Sequence, residues 1–95
     1  MRIYLSAPIS HDPHGARQRF DELEAYARRQ WPWAECFCPL SLGPMSWETA
    51  MVLDLVELKR CDLLLLHPTW RRSPGCRIED AAAERWSIER WEMET

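Results

Sequence analysis

Residues 62–67 read DLLLLH, Asp62 to His67. Four leucines in a row leave no alternation of apolar and polar side chains. A strand with one wet face would alternate; a continuous apolar strand is covered on both faces, as in a parallel sheet between helix layers. The reading of the whole chain follows from that run. Upstream, residues 47–60 read as a helix, with Ser46 as N-cap and Glu48 adding negative charge to the first turn. Its stretch AMVLDLVEL is apolar on most sides, so it is expected to be buried, in a chain this small against another subunit. Downstream, Pro68 to Gly75 form a loop. A further helix starts after Ser73-Pro74, with serine suited to the cap and proline to the first helical position.

Further out, residues 2–8, RIYLSAP, read as a strand, and residues 9–15, ISHDPHG, as a loop of turn formers. Ala16, Phe20, Leu23 and Ala27 recur at i, i+4, i+7 and i+11, which gives a helix with one apolar stripe. It stops before Trp31-Pro32, because proline disfavours helix at the residue before it. Residues 34–39, AECFCP, make a short strand, and residues 40–47, LSLGPMSW, a loop. The order is β-α-β-α-β-α. It predicts an α/β fold, a small doubly wound, Rossmann-like or flavodoxin-like parallel sheet, in one domain over residues 1–95.

The bulk numbers narrow the function classes. The formal net charge of −3 argues against a polymeric nucleic acid as partner. The Arg28-Arg29 pair reads as a solvated helix end. No apolar run reaches membrane-spanning length, and the chain opens on a strand rather than a leader. Cytoplasmic localisation is expected, with Cys36, Cys38, Cys61 and Cys76 reduced; a metal site at Cys36-x-Cys38 is the weaker alternative. No CxxC occurs, and His11, His14 and His67 complete no zinc spacing, so no metal is expected. Six tryptophans are many for 95 residues; Trp31, Trp33, Trp86 and Trp91 fall near element ends, where aromatic rings could cover an interface.

In open α/β sheets ligands bind beyond the carboxyl ends of the strands. That selects Ser6 to Gly15, Leu40 to Trp47, and His67 to Gly75. Ser6, Pro8 and Trp70 are substrate-contact candidates by position, and Gly75 lies at a helix start, where free N–H groups favour an anion. Two carboxylates stand out. Asp54 interrupts an apolar helix; it is either a group aimed at a cleft or part of a polar stripe with Glu57 and Cys61. Glu79 is either a reacting group or a solvated carboxylate near a helix start. Two carboxylates facing one cleft could work on a glycosidic bond.

MRIYLSAPIS, the helix with Phe20, WETAMVLDLVELKRCDLLLL and PTWRRSPGCRIEDAAA occur in an order that resembles the nucleoside 2-deoxyribosyltransferase-like superfamily. Within it they are most similar to the small, often phage-associated branch of DUF4406 type. The resemblance implies a nucleophilic Glu79 in the motif Gly75-Cys76-Arg77-Ile78-Glu79, attacking C1′ of a nucleoside. It implies that Asp54 protonates the leaving base or orients the nucleoside, that Tyr4 belongs to the site, and that Ser73 contacts a 5′-phosphate. It implies no metal or organic cofactor, a nucleoside or nucleotide as partner, and a homo-oligomer. Three departures are visible. Ser6-Ala7 stands where the family has glycine, Thr69 stands before Trp70 in place of glycine, and IERWEMET replaces a longer continuation. That segment is expected either to form a substitute element or to leave an edge for a partner subunit. A nucleotide-binding module without turnover and a structural oligomer are the competing expectations.

Overall fold

The leucine run forms the centre of a four-stranded parallel sheet. In this computed structural model, which describes residues 1–9 and 12–94, the order along the chain is as follows. Strand β1 (Arg2–Ser6) leads to helix α1 (Pro13–Gln30), then β2 (Glu35–Phe37) and α2 (Trp47–Lys59). Strand β3 (Leu63–Leu66) leads to α3 (Pro74–Arg85) and β4 (Glu89–Glu92). Short 3-10 turns occupy Pro39–Leu42 and Trp70–Arg72. The sheet order is β2-β1-β3-β4 with every pair parallel.

The residues of β1 alternate between two cores. Ile3, Leu5 and Ala7 face α1 and pack with Phe20, Leu23, Ala27 and the β3 residues Leu63 and Leu65. Tyr4 packs on the opposite face with Leu58 of α2, Leu64 and Leu66 of β3 and Ala83 of α3. Period-two geometry puts Ser6 on the same face as Tyr4. Helices therefore cover both sides of the sheet. The chain changes direction between β1 and β3, and the carboxyl ends of those strands form the crevice where this architecture places ligands.

Three differences from the expected elements have local causes. Helix α1 begins at Pro13 rather than near Ala16, because Asp12 caps it: the Gly15 N–H donates to Oδ1 at 3.0 Å. Helix α2 is not buried all round. Met51, Asp54 and Leu58 face inward, whereas Val52 is 62% exposed and Leu53 and Val56 are exposed as well.

The segment after α3 is a fourth strand. Its register on β3 runs from Leu63↔Glu89 to Leu66↔Glu92, and the Met93 N–H continues it onto the Leu66 carbonyl at 2.8 Å. Trp91 holds it to α1, with its ring 5.5 Å from Trp31 edge to face and its Nε1 donating to the Tyr26 hydroxyl. The turn into β4 places Ser87 at φ 57°. The Ile88 N–H bonds the Ala83 carbonyl at 2.8 Å and the Ser87 N–H bonds that of Glu84 at 3.2 Å, the Schellman pattern.

Candidate active site

Glu79 sits on the inner face of α3, five residues after Pro74 opens the helix, and only 5% of its surface is exposed. It is not a solvated carboxylate. The Tyr4 hydroxyl donates to its Oε2, and the Ser6 hydroxyl donates to its Oε1 at 2.7 Å. Two neighbours on one face of β1 thus hold both oxygens of a carboxylate 73 and 75 residues further along. Arg77 does not clamp it; that guanidinium donates to the Arg71 carbonyl.

Asp54 enters from α2 at the same face, also 5% exposed, on the stripe it shares with Met51 and Leu58 rather than with Glu57. Its Oδ1 is buried without a hydrogen-bond partner among the described residues. A buried orphan acceptor is costly in a protein. Asp54 and Glu79 both line a cleft of about 500 Å³. That volume suits a small organic molecule.

Burial sets the electrostatics. It raises Glu79 to about 7; the Tyr4 and Ser6 hydrogen bonds pull it back, and the Asp54 charge adds to the rise. Burial also raises Asp54 to about 6, with the Tyr4 hydroxyl pulling the other way. Burial and then the Glu79 charge drive the Tyr4 phenol far above its ordinary range, so it stays a neutral donor. Burial also pushes up the thiol of Cys76, which lines the same cleft. Two carboxyls that titrate around neutrality in one apolar cleft are suited to nucleophilic and acid–base chemistry.

The rest of the cleft is apolar. Leu42, Met45, Trp47, Met51, Ala7 and Ile9 all line it. Trp47 is 47% exposed at the start of α2. Ser73 and Gly75 are also in its lining. The Ser73 Oγ caps α3 by accepting from the Cys76 N–H at 3.2 Å. A Cβ on Gly75 would stand 3.3 Å from the Met51 sulfur, so glycine lets α3 approach α2 here.

The structure thus brings Tyr4, Ser6, Asp54, Ser73, Gly75 and Glu79 together. It places Pro8 and Trp70 elsewhere. The Pro8 carbonyl accepts from Arg19 at 2.8 and 3.1 Å and ties the loop to α1. The Trp70 indole donates to Glu92 at 2.7 Å, with the Arg71 guanidinium 4.5 Å above its ring, so it secures β4. His67 bridges Thr69 and Glu22, His14 is exposed, and His11 lies outside the described residues. Among the described residues no group of three or more His, Cys, Asp or Glu side chains is placed to hold a metal. Cys36 and Cys38 are half-buried, with thiols pushed up by burial.

The lining residues Leu42, Met45, Trp47 and Met51 were not among the sequence candidates. Their only signal was position: three lie in the loop after β2 that the strand-end rule selects, and Met51 follows one turn into α2.

The family model described as "Domain of unknown function (DUF4406)" matches residues 1–89. Among solved structures, that of the CMP N-glycosidase of Clostridium botulinum superposes with a TM-score of 0.69. The match has 23% sequence identity and covers 97% of this chain and 67% of that one. At that identity the likeness concerns the fold. No curated protein matches the chain in sequence.

Proposed function

The chain belongs to the DUF4406 family, and from that premise we propose that it cleaves the N-glycosidic bond of a nucleoside or deoxynucleoside 5′-monophosphate. The observation that carries this reading is the pair of buried carboxylates lining one cleft, Glu79 fixed by Tyr4 and Ser6, and Asp54 with a buried oxygen that has no partner among the described residues.

The ionised Glu79 attacks C1′ of the sugar. The C1′–N bond breaks as the C1′–O bond to Glu79 forms, and the bonding pair leaves with the base nitrogen. Asp54 supplies the proton that this nitrogen takes up. Water, or a second base, then attacks C1′ and displaces Glu79, returning a proton to Asp54. The Tyr4 and Ser6 hydroxyls aim the carboxylate and spread its charge while it is ionised. The apolar lining with Trp47 receives the flat base, and Ser73 and Gly75 face the 5′ end of the sugar. Exposed Val52, Leu53 and Val56 on α2 accord with a homo-oligomer. Among the described residues no helix is long and apolar enough to cross a membrane.

The test is a product assay. A panel of nucleosides, deoxynucleosides and their 5′-monophosphates is incubated with the protein, and free base is followed by chromatography beside Glu79→Ala. Base release that the substitution abolishes is expected. A folded protein that releases no base from any member would overturn the reading.

A further inference from the structure

We infer that the cleft takes an uncharged nucleoside rather than a nucleotide, because its described lining holds two carboxylates and no cation to set against a phosphate. The choice of nucleosides rests on the glycosidase reading; the choice between the two classes rests on the charge inventory.

Asp54 and Glu79 are the charged residues among those lining the cleft, and no Lys, Arg or His accompanies them there among the described residues. A 5′-phosphate carries close to two negative charges at neutral pH. Sites that accept one normally supply a guanidinium, an ammonium or the free N–H groups of a helix start. The start of α3 has largely used its own donors. Pro74 has no N–H. The Cys76 N–H donates to Ser73 Oγ, and the Arg77 N–H donates to the Ser73 carbonyl at 3.1 Å. Of the first helical N–H groups, that leaves Gly75.

Among the described residues the neighbouring cations are committed or outside. The Arg19 charge reaches the thiol of Cys76, which lines the cleft, but its guanidinium donates to the Pro8 carbonyl and to Asp12. Arg71 pairs with Glu92, and Arg77 is taken by the Arg71 carbonyl. Arg72 is exposed and outside the lining. A neutral 5′-hydroxyl asks for less. The Ser73 hydroxyl retains a proton to donate, the Gly75 N–H is a second donor, and the apolar lining takes the base.

The decisive experiment uses carbocyclic 2′-deoxynucleosides, whose ring oxygen is replaced by methylene so that the glycosidic bond resists cleavage, and their 5′-monophosphates. All four bases are titrated calorimetrically into the wild-type protein at pH 8 and pH 5.5. At least one nucleoside analogue is expected to bind about tenfold tighter than its own monophosphate at pH 8. The ratio should shrink at pH 5.5, where Asp54, Glu79 and the phosphate itself take up protons; the other groups facing the pair, Tyr4 and Cys76, stay neutral at both values. Equal or tighter binding of the monophosphates overturns the inference, as does no binding by any analogue. The two readings fail separately. Analogue binding without base release in the product assay removes the chemistry and keeps the preference. Cleavage of monophosphates alone keeps the chemistry and removes the preference.

Discussion

Glu79 and Asp54 form a buried pair whose proton inventory bears on stability and would set the rate of the proposed reaction. The proposed reaction needs Glu79 ionised and Asp54 protonated. Burial favours the opposite arrangement, with Glu79 raised to about 7 and Asp54 to about 6. The competent form is therefore the minor member of the singly protonated pair, and the pair titrates as a unit. Activity should follow a bell, rising through pH 6 and falling through pH 7. Asp54→Asn should lower the maximum and remove the falling limb; an unchanged bell in that variant would place the second ionisation elsewhere. The stability effect has the opposite sense to an ordinary paired carboxylate. A folded pKa above the unfolded value of about 4.5 means that folding binds a proton between those two values. The contribution is present below 4.5 and lost as pH rises through about 7. Glu79→Gln should therefore stabilise the protein by up to about 3 kcal/mol at pH 8, since each pKa unit is about 1.4 kcal/mol. At pH 4 the gain should vanish. Thermal denaturation of both proteins at the two pH values measures it.

At the scale of elements, the turn between α3 and β4 carries the clearest strain. Ser87 adopts a left-handed φ of 57° at the position where helices usually place glycine. Ser87→Gly should raise stability by about 1 kcal/mol, the order of the left-handed penalty for a residue with a Cβ. Denaturant midpoints decide it. The sequence shows why this turn was hard to read: glycine would have announced it, and serine did not. The same holds for β4, whose residues Glu89–Glu92 are exposed and carry no apolar alternation. Its place depends on contacts from distant residues, Trp31, Tyr26 and Trp70. In contrast, β3 was legible because burial on both faces leaves its mark in four adjacent letters. Ser46 and Ser73 were legible as caps because their hydroxyls accept the bonds that their spacing implies. Asp54 and Glu79 could be picked out, but whether each faced water or the sheet depended on packing. Trp70 has the right place in sequence and the wrong direction, because Glu92 offers its indole a partner.

At the scale of the molecule, α2 closes the core with one face and leaves Val52, Leu53 and Val56 in contact with solvent. Such a strip on a small domain is a natural site for association. Sedimentation should show self-association at micromolar concentration, and Val52→Glu with Val56→Lys should give monomers that keep the fold. A wild-type protein that remains monomeric at every concentration would remove the oligomer from the account.

Tyr4 and Glu79 meet from opposite ends of the sequence, 75 residues apart. One fragment ending before α2 would carry the two hydroxyls; the other would carry both carboxylates. Neither piece alone can assemble the reacting group. During synthesis the first strand must wait for 75 further residues before its partner exists, so this buried pairing can form only once α3 has been made. The same geometry makes the protein a natural candidate for division into two halves whose reunion would restore the proposed activity.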